Sequence, residues 1–211
     1  NCLLYIPDSP LNVQIGSEKE VEYLAEQICR LVEAAHGHTL VLFTSYALMG
    51  AVYNQVKDRL PFPLLEVWRH SSDMIHKFKH SNNTVLFAAG SCWEGVDFPG
   101  DMVSSLIIVR LPFSVPNPLS EAEREQYPSL QDYIRAVIIP DMQVKLRQGF
   151  GRAIRTETDT CVISILDHRA APGERYHQAV LEALPNLRIT RKIKEVEEFI
   201  RAKKSSDYFL S

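Results

Sequence analysis

The chain has 211 residues, of which 45% are hydrophobic, and a formal net charge of −3. This length suffices for one α/β domain with a substantial core, and the charge excludes a protein that binds nucleic acid through overall positive charge. The four cysteines are far apart and form no C-x-x-C pair or Cys/His metal set, so we expect core thiols and no metal site. No apolar stretch approaches the roughly 18 to 20 residues that cross a bilayer, so we expect a soluble cytoplasmic protein without membrane contact.

The first half of the chain alternates between strand and helix patterns. Residues 1–6 form an apolar strand pattern. Ser17 and Glu20 form a capping-box pattern ahead of apolar residues spaced by about 3.6 positions, which predicts a helix that stops at Gly37. The next predicted elements are a buried strand over residues 39–43 and a helix over residues 46–60.

Four more short apolar runs follow, at residues 64–68, 85–88, 106–110 and 161–166. Their alternation with helix patterns is typical of a parallel sheet covered on both faces, so we predict a doubly wound α/β fold. A helical excursion is predicted over about residues 112–147, with Ser120 capping a short acidic helix and Pro140 in the first turn of a later helix.

The C-terminal residues 185–211 carry a modest excess of positive charge and an apolar edge formed by Val196, Phe199 and Ile200. This pattern predicts a helix over about residues 190–204. We interpret it as a helix docked on the domain in preference to a dedicated nucleic-acid arm.

The later helix carries Gln148, Arg152 and Arg155 at positions i, i+4 and i+7, so all three are expected to project from one face. Phosphoryl transfer needs an always-charged planar guanidinium to neutralise charge on a γ-phosphate, and two of them can bind neighbouring phosphate oxygens. Gly149 and Gly151 weaken a helix by about 1 kcal/mol each, which predicts close approach of another backbone or a ligand. The alternative is an ordinary arginine-bearing surface helix.

A second block begins with a short apolar strand and continues into a glycine-rich loop that carries Ser91, Trp93, Glu94 and Asp97. Loops at the ends of such strands carry function. The loop contains the string WEGVDFPG over residues 93–100.

Three blocks in order carry a family resemblance: LVLFTSY over residues 40–46, the loop block, and QGFGRAIR over residues 148–155. Together they resemble the second RecA-like motor domain of superfamily 2 helicases, and above all that of the DinG/XPD-like DNA helicases, for which WEGVDFPG is distinctive. RLPFSVP over residues 110–116 also resembles the segment that follows the next strand in this family.

The resemblance covers nearly the whole chain and implies a RecA-like sheet of the P-loop NTPase type over residues 1–211. No G-x-x-x-x-G-K-[ST] string occurs in the sequence, so the Walker A loop of such a domain is missing. The family's first motor domain carries that loop and the acidic residues for Mg²⁺. We therefore expect the C-terminal half of a larger enzyme, and the start without initiator Met or targeting segment agrees with this.

The resemblance also assigns roles at a nucleotide. Arg155 matches the arginine finger, Arg152 its partner on the γ-phosphate, and Gln148 the group that orients the attacking water or hydrogen-bonds the phosphate. Many family members hold a four-cysteine iron–sulfur cluster in an insertion of the first motor domain, and the cysteines of this chain cannot replace it.

The loop residues have less specific assignments. Asp97 matches the position that reaches toward the nucleotide ribose, Glu94 is expected to link the loop to the arginine helix, and Gly95 lies between them on the nucleotide side. The alternative is that acidic side chains satisfy the amides of their own loop. Asp167, at the end of a later strand, is expected to orient an arginine of the same helix, and His168 is expected to be structural.

Candidates for DNA binding are short polar groups at strand ends, namely Thr44, Ser45, Ser91 and the amides near Gly90. Such groups hydrogen-bond phosphates without reading bases. Trp93 and Tyr46 are each interpreted either as base-stacking side chains or as core residues.

The resemblance thus implies an ATP-dependent DNA helicase in which ATP and Mg²⁺ lie between two motor domains and single-stranded DNA moves with 5′ to 3′ polarity, in DNA repair. The excursion is either a lobe that faces DNA or the partner domain, or surface structure. The isolated chain is expected to hydrolyse little ATP. Alternatives are a non-catalytic RecA-like module that binds DNA or a protein, and a relative fused to an exonuclease.

Overall fold

Parallel strands form the central layer of the molecule. The computed structural model describes residues 1–68, 72–90, 96, 98, 102–154, 158–184 and 186–210. The described strands are β1 (Cys2–Tyr5), β2 (Thr39–Phe43), β3 (Leu64–Val67), β4 (Val85–Ala89), β5 (Ser105–Ile108), β6 (Cys161–Ile165) and β7 (Arg188–Thr190). They form a sheet in the order β3-β4-β2-β5-β6-β1-β7, and each neighbouring pair is parallel. The predicted parallel sheet is confirmed.

Helices cover both faces of this sheet. The described helices are α1 (Glu18–Ala34), α2 (Tyr46–Val56), α3 (Ser72–Lys79), α4 (Pro118–Arg124), α5 (Leu130–Tyr133), α6 (Ile139–Ala153), α7 (His177–Ala183) and α8 (Ile193–Lys203). Apolar residues of α1, α2 and α8 pack on one face, and those of α3, α6 and α7 pack on the other. No helix in the described part of the chain combines the length and apolar character needed to cross a membrane.

Side chains alternate along the strands, so successive residues pack into two separate cores on opposite faces of the sheet. In β2, Leu40 and Leu42 belong to the core beneath α3, α6 and α7, whereas Val41 and Phe43 belong to the core beneath α1, α2 and α8. All five residues of β2 are buried. Because both faces are covered, such a strand is a continuous apolar run, which is why the sequence pattern located it well.

The short helix α4 begins three residues earlier than predicted. Asn117 is the N-cap, since its side-chain oxygen accepts hydrogen bonds from the Leu119 and Ser120 amides, each at 3.0 Å. The Ser120 hydroxyl accepts in return from the Asn117 amide at 2.8 Å. The prediction that Ser120 is the cap was wrong, because Ser120 is instead the second member of an Asn-initiated capping box.

A π-helical segment, Ile134–Ile138, joins α5 to α6 in the excursion. Pro140 lies in the first turn of α6, as predicted. Proline has no N–H, and its ring clashes with the carbonyl four residues earlier in a regular helix. The wider turn avoids this conflict, because the Ile139 amide bonds to Ile134, five residues back.

The turn between α1 and β2 is an unusual left-handed stretch. His36, Gly37 and His38 have φ angles of +51°, +78° and +41°. Tyr208, near the C-terminus, closes over this turn: its hydroxyl donates to the Ala35 carbonyl at 2.5 Å, and its ring stacks on His38 with centroids 4.2 Å apart. The C-terminal segment therefore stabilises the entry to β2.

Gly37 is required at this turn by both backbone angle and space. A Cβ at Gly37 would lie 1.8 Å from the Asn83 carbonyl oxygen, whereas a Cβ at Gly173, with φ of +84°, would meet nothing within 4 Å. We expect Gly37→Ala to lower the free energy of unfolding by about 3 kcal/mol or more, from strain plus steric overlap. Gly173→Ala, with the backbone strain alone, should cost about 1 kcal/mol. Urea unfolding measures both, and equal losses would contradict the overlap.

Candidate functional site

The carboxyl ends of the parallel strands meet at one edge of the sheet, and the candidate residues follow those ends. Thr44 and Ser45 come directly after β2, Gly90 directly after β4, and Asp167 two residues after β6. We call this side of the molecule the strand-end edge. Open parallel sheets bind ligands outside the carboxyl ends of their strands, so this edge is the place for a functional site.

Helix α6 carries two of the three predicted nucleotide residues. Gln148 is exposed and Arg152 is half-buried. The Arg152 Nη1 donates a hydrogen bond to the Val96 carbonyl oxygen at 3.2 Å. Val96 belongs to the glycine-rich loop, so Arg152 joins that loop to α6. Sequence reasoning missed this contact because a backbone carbonyl leaves no signal in the sequence.

The third predicted nucleotide residue, Arg155, lies outside the described residues. Helix α6 ends at Ala153, and Ile154 has an extended backbone with φ of −129° and ψ of 116°. The prediction that Arg155 shares the helical face of Gln148 and Arg152 therefore stays a prediction. Helix α6 ends where Gly149 and Gly151 weaken its last turns and β-branched Ile154 favours extended backbone.

Six predicted site residues lie outside the described residues: Ser91, Trp93, Glu94, Gly95, Asp97 and Arg155. Their assignments stay predictions. Of the two helix glycines, Gly149 is buried, and a Cβ added at Gly151 would meet nothing within 4 Å. Outside its own helix no described atom approaches Gly151, so the close approach predicted there stays a prediction.

The amino end of α2 lies at the strand-end edge. Thr44 is exposed, and Ser45 is the N-cap of α2, with its hydroxyl oxygen accepting from the Leu48 amide at 3.2 Å. Oriented amides at a helix start favour negative charge. The predicted polar groups Thr44 and Ser45 are thus brought together beside a weakly positive helix terminus.

Tyr46, the first residue of α2, stacks on Trp68, which follows β3. The ring centroids are 5.6 Å apart with an interplanar angle of 17°. Gly90 has a φ of +64°, and a Cβ there would lie 3.1 Å from the Tyr46 hydroxyl oxygen. Sequence reasoning assigned Trp68 to the end of a strand and gave it no role. The sequence signal for Trp68 is a large aromatic residue at the end of a strand pattern. In the sheet, this strand end lies near the ends of β2 and β4, which Tyr46 and Gly90 follow.

Two ion pairs lie beneath this surface. Asp167 is 4% exposed, and its carboxylate accepts from the Leu111 amide at 2.8 Å and from the Arg169 Nη2 at 2.7 Å. Glu20 of α1 pairs with Arg110, which follows β5. Sequence reasoning expected Asp167 to orient an arginine of α6. In the described part of the chain it binds Arg169 and Leu111 instead, which ties the ends of β5 and β6 together.

Metal and thiol chemistry have little basis in the described residues. Within the described ranges no group of three or more His, Cys, Asp or Glu side chains could hold a metal ion. Cys2, Cys29 and Cys161 are free thiols. Burial raises the pKa of the Cys29 and Cys161 thiols, so both stay protonated and behave as core residues.

Comparison with known proteins shows the family. The family model described as "Helicase C-terminal domain" matches residues 28–187, which is more than half of the chain. The chain therefore belongs to the helicase C-terminal domains, and within them to those of the DinG/XPD-like superfamily 2 helicases.

Curated relatives are longer proteins. The chain is 37% identical over 185 residues to the ATP-dependent DNA helicase YoaA of Haemophilus influenzae, covering 85% of this chain and 28% of the relative. It is 33% identical over 195 residues to the ATP-dependent DNA helicase DinG of Photobacterium profundum, covering 88% and 28%. It is 29% identical over 209 residues to the 3′-5′ exonuclease DinG of Bacillus subtilis, covering 94% and 22%. The chain thus spans less than a third of each relative.

Solved structures show the same fold at low sequence identity. An XPD helicase superimposes with a TM-score of 0.67 and 22% identity, covering 90% of this chain and 34% of that one. The C-terminal domain of the DEAD-box protein Dbp5 gives a TM-score of 0.54 and 15% identity, covering 95% and 96%. The predicted RecA-like fold is confirmed.

The buried carboxylate of Asp167 should be important for stability. Asp167→Ala removes the acceptor of a buried amide and of Arg169, so we expect the free energy of unfolding to fall by about 3 kcal/mol. Asp8 is the matched control, since it also pairs with an arginine, Arg191, but the two side chains are 63% and 56% exposed. Asp8→Ala should cost less than about 1 kcal/mol. Similar losses in urea unfolding would show that burial of Asp167 contributes nothing.

Glu66 gives a pH-dependent prediction. Burial raises the pKa of its carboxyl, against a lowering by a hydrogen bond from Trp68. A raised pKa in the folded state means that the proton stabilises the fold below the unfolded-state pKa, and this stabilisation is lost as pH rises through the folded-state pKa. Glu66→Gln stays neutral. It should therefore raise the melting temperature near neutral pH and change it little below about pH 4.

The control for Glu66 is Glu198→Gln on α8, an exposed site. Thermal unfolding monitored by circular dichroism at both pH values compares the two variants. A gain for Glu66→Gln that is equal at both pH values would contradict the proposed cause, because it would not follow ionisation.

Proposed function

We propose that this chain acts as the second motor domain of an ATP-dependent DNA helicase. The observation that carries the proposal is its membership of the helicase C-terminal family combined with a sequence that holds no G-x-x-x-x-G-K-[ST] loop. Phosphate binding and Mg²⁺ coordination then come from a first motor domain. The relatives that are named ATP-dependent DNA helicases support the activity.

The chain contributes positive charge to ATP bound between the two domains. Arg155 acts as the arginine finger, and Arg152 neutralises the same developing charge on the γ-phosphate. A guanidinium carries several N–H donors, so Arg152 can hold Val96 and contact a phosphate oxygen. Gln148, exposed one helical turn before Arg152, orients the attacking water or bonds the phosphate.

The glycine-rich loop connects the nucleotide to the DNA. Asp97 reaches the ribose, and Gly95 and Glu94 lie on the nucleotide side of the loop. The bond from Arg152 to the Val96 carbonyl supports this arrangement, because it ties the loop to the helix that faces the nucleotide. A shift of α6 as the phosphate leaves would therefore pull on the loop.

Single-stranded DNA binds along the strand-end edge. Thr44, Ser45 and Ser91 hydroxyls and the Gly90 amide contact phosphates, and the positive end of α2 favours them. These contacts do not read bases, which suits a motor that must move along any sequence. Opening and closing of the cleft between the domains moves the strand with 5′ to 3′ polarity, and duplex separation follows.

The arginine finger gives the decisive test, in the longer protein that carries this domain together with its first motor domain. Arg155→Ala should lower single-stranded-DNA-stimulated ATP turnover by about 10³ to 10⁵, because the charge on the transferring phosphoryl group loses its counterion. DNA affinity should be retained. Arg147→Ala is the matched control, since Arg147 is an exposed arginine of α6 that lies next to Gln148 and off the Gln148–Arg152 face.

Unchanged turnover in Arg155→Ala would remove the finger assignment. If the wild-type protein also bound single-stranded DNA without hydrolysing ATP, the chain would be a non-catalytic RecA-like module. The isolated chain supplies a second comparison, because it is expected to hydrolyse little or no ATP by itself.

A further inference from the structure

We infer that Trp68, stacked on Tyr46, forms a binding platform for a nucleobase of single-stranded DNA. This inference rests on the proposed function, and it adds a base-contacting residue, Trp68, to the phosphate-binding groups proposed for the strand-end edge. The platform comprises the two aromatic side chains, and Gly90 lies against Tyr46.

Exposure is the first observation. Trp68 is 46% exposed, although it directly follows a buried strand residue, Val67, which is 6% exposed. An indole of this kind leaves on the order of 100 Å² of apolar surface in water. Large aromatic side chains with an apolar body and a polar N–H are common at binding surfaces, so this exposure calls for a ligand.

Rigidity is the second observation. The indole stacks on Tyr46 with an interplanar angle of 17°, and its N–H side is hydrogen-bonded to Glu66. Its ring lies along α2, since a Cβ at Gly50 would be 3.6 Å from Trp68 Cη2. A side chain held from three directions loses little conformational freedom when a flat ligand stacks on it. The platform is therefore preorganised.

The position of Tyr46 is fixed as well. The Tyr46 hydroxyl lies close enough to Gly90 that a Cβ there would be 3.1 Å away, and the φ of +64° also favours glycine. A side chain at position 90, at the end of β4, would therefore crowd the Tyr46 hydroxyl. This is a physical reason for glycine at position 90 that does not involve phosphate binding.

Neighbouring groups select the ligand. Tyr46 directly follows Thr44 and Ser45, whose hydroxyls suit phosphates. Strands β3 and β2 flank β4, so the end that carries Trp68 lies about 10 Å from the end that carries those hydroxyls. A flat ring beside phosphate-binding groups matches a nucleotide of a single strand, in which each base has a face to stack and none is paired.

The test separates base stacking from phosphate binding, in the protein that carries both motor domains. Binding of labelled oligothymidine and of an abasic strand of equal length is measured by fluorescence anisotropy. Trp68→Leu should weaken oligothymidine binding by roughly 5- to 100-fold and leave abasic-strand affinity unchanged. Trp68→Phe keeps an aromatic face and should retain most of the affinity. Leu210→Ala, at an 82% exposed apolar site, is the control and should change neither.

Each other outcome has a distinct meaning. If Trp68→Leu, with an unchanged melting temperature, binds oligothymidine like the wild type, the platform is not a base site and its occupant is a protein surface. Equal loss on both strands would also overturn the inference, because the defect would then lie in phosphate contacts. Wild-type protein that binds neither strand would overturn the proposed helicase function and this inference with it, whereas the first two outcomes leave that function intact.

Discussion

Parallel pairing of strands that are buried on both faces is the constraint on which the candidate site depends. Since every described strand points the same way, residues 44, 90, 110 and 167 reach one edge although they are far apart in the chain. Helices occupy both faces of the sheet, so the strand ends are where loops and helix starts can meet a ligand. Candidate residues from distant parts of the chain therefore meet at that edge as a consequence of topology.

A buried network fixes the geometry of the edge from below. Asp167 holds the Leu111 amide and the Arg169 side chain, so the ends of β5 and β6 cannot move independently. The Arg169 guanidinium lies 5.1 Å from the centre of the Phe113 ring, and Phe113 packs on Tyr176 with centroids 4.8 Å apart. The network therefore also anchors the start of the excursion, which begins just after Leu111. An exposed pair would be too weak for this purpose.

Particular strands and helices show how much of the fold can be predicted from the sequence alone. Strand β2 was predicted to the residue because burial on both faces makes it an unbroken apolar run. Strand β7 was missed because two of its three residues are exposed and no periodicity can show in so short a run. Helix α3 was missed as well, since its eight residues are too few to give a clear helical period. The cap of α4 was predicted wrongly, because Asn117 and Ser120 are both good caps and only the fold chooses between them.

The site was harder to predict than the sheet, for a physical reason. Motif residues such as Gln148 and Arg152 could be proposed as site residues because the sequence specifies their side-chain chemistry. Their partners were not, since the Val96 carbonyl and the Leu111 amide are backbone groups that every residue possesses. Trp68 was missed because its place beside Tyr46 depends on the order of strands β3, β4 and β2, which a single sequence does not specify.

The contact between Arg152 and Val96 has a consequence for how a two-domain motor would be coupled. If arginines of this chain bind ATP, the γ-phosphate would interact with the Arg152 guanidinium, which also donates a hydrogen bond to Val96 of the glycine-rich loop. Hydrolysis would then weaken one interaction of Arg152 and leave the other, so that loop and helix respond to the nucleotide state together. Coupling of this kind requires that the nucleotide site and the DNA site are joined by an element whose contacts differ between the nucleotide states. Such coupling is reciprocal, because each ligand changes the affinity for the other by the same factor. DNA held by the loop should therefore affect nucleotide affinity as much as the nucleotide affects DNA affinity.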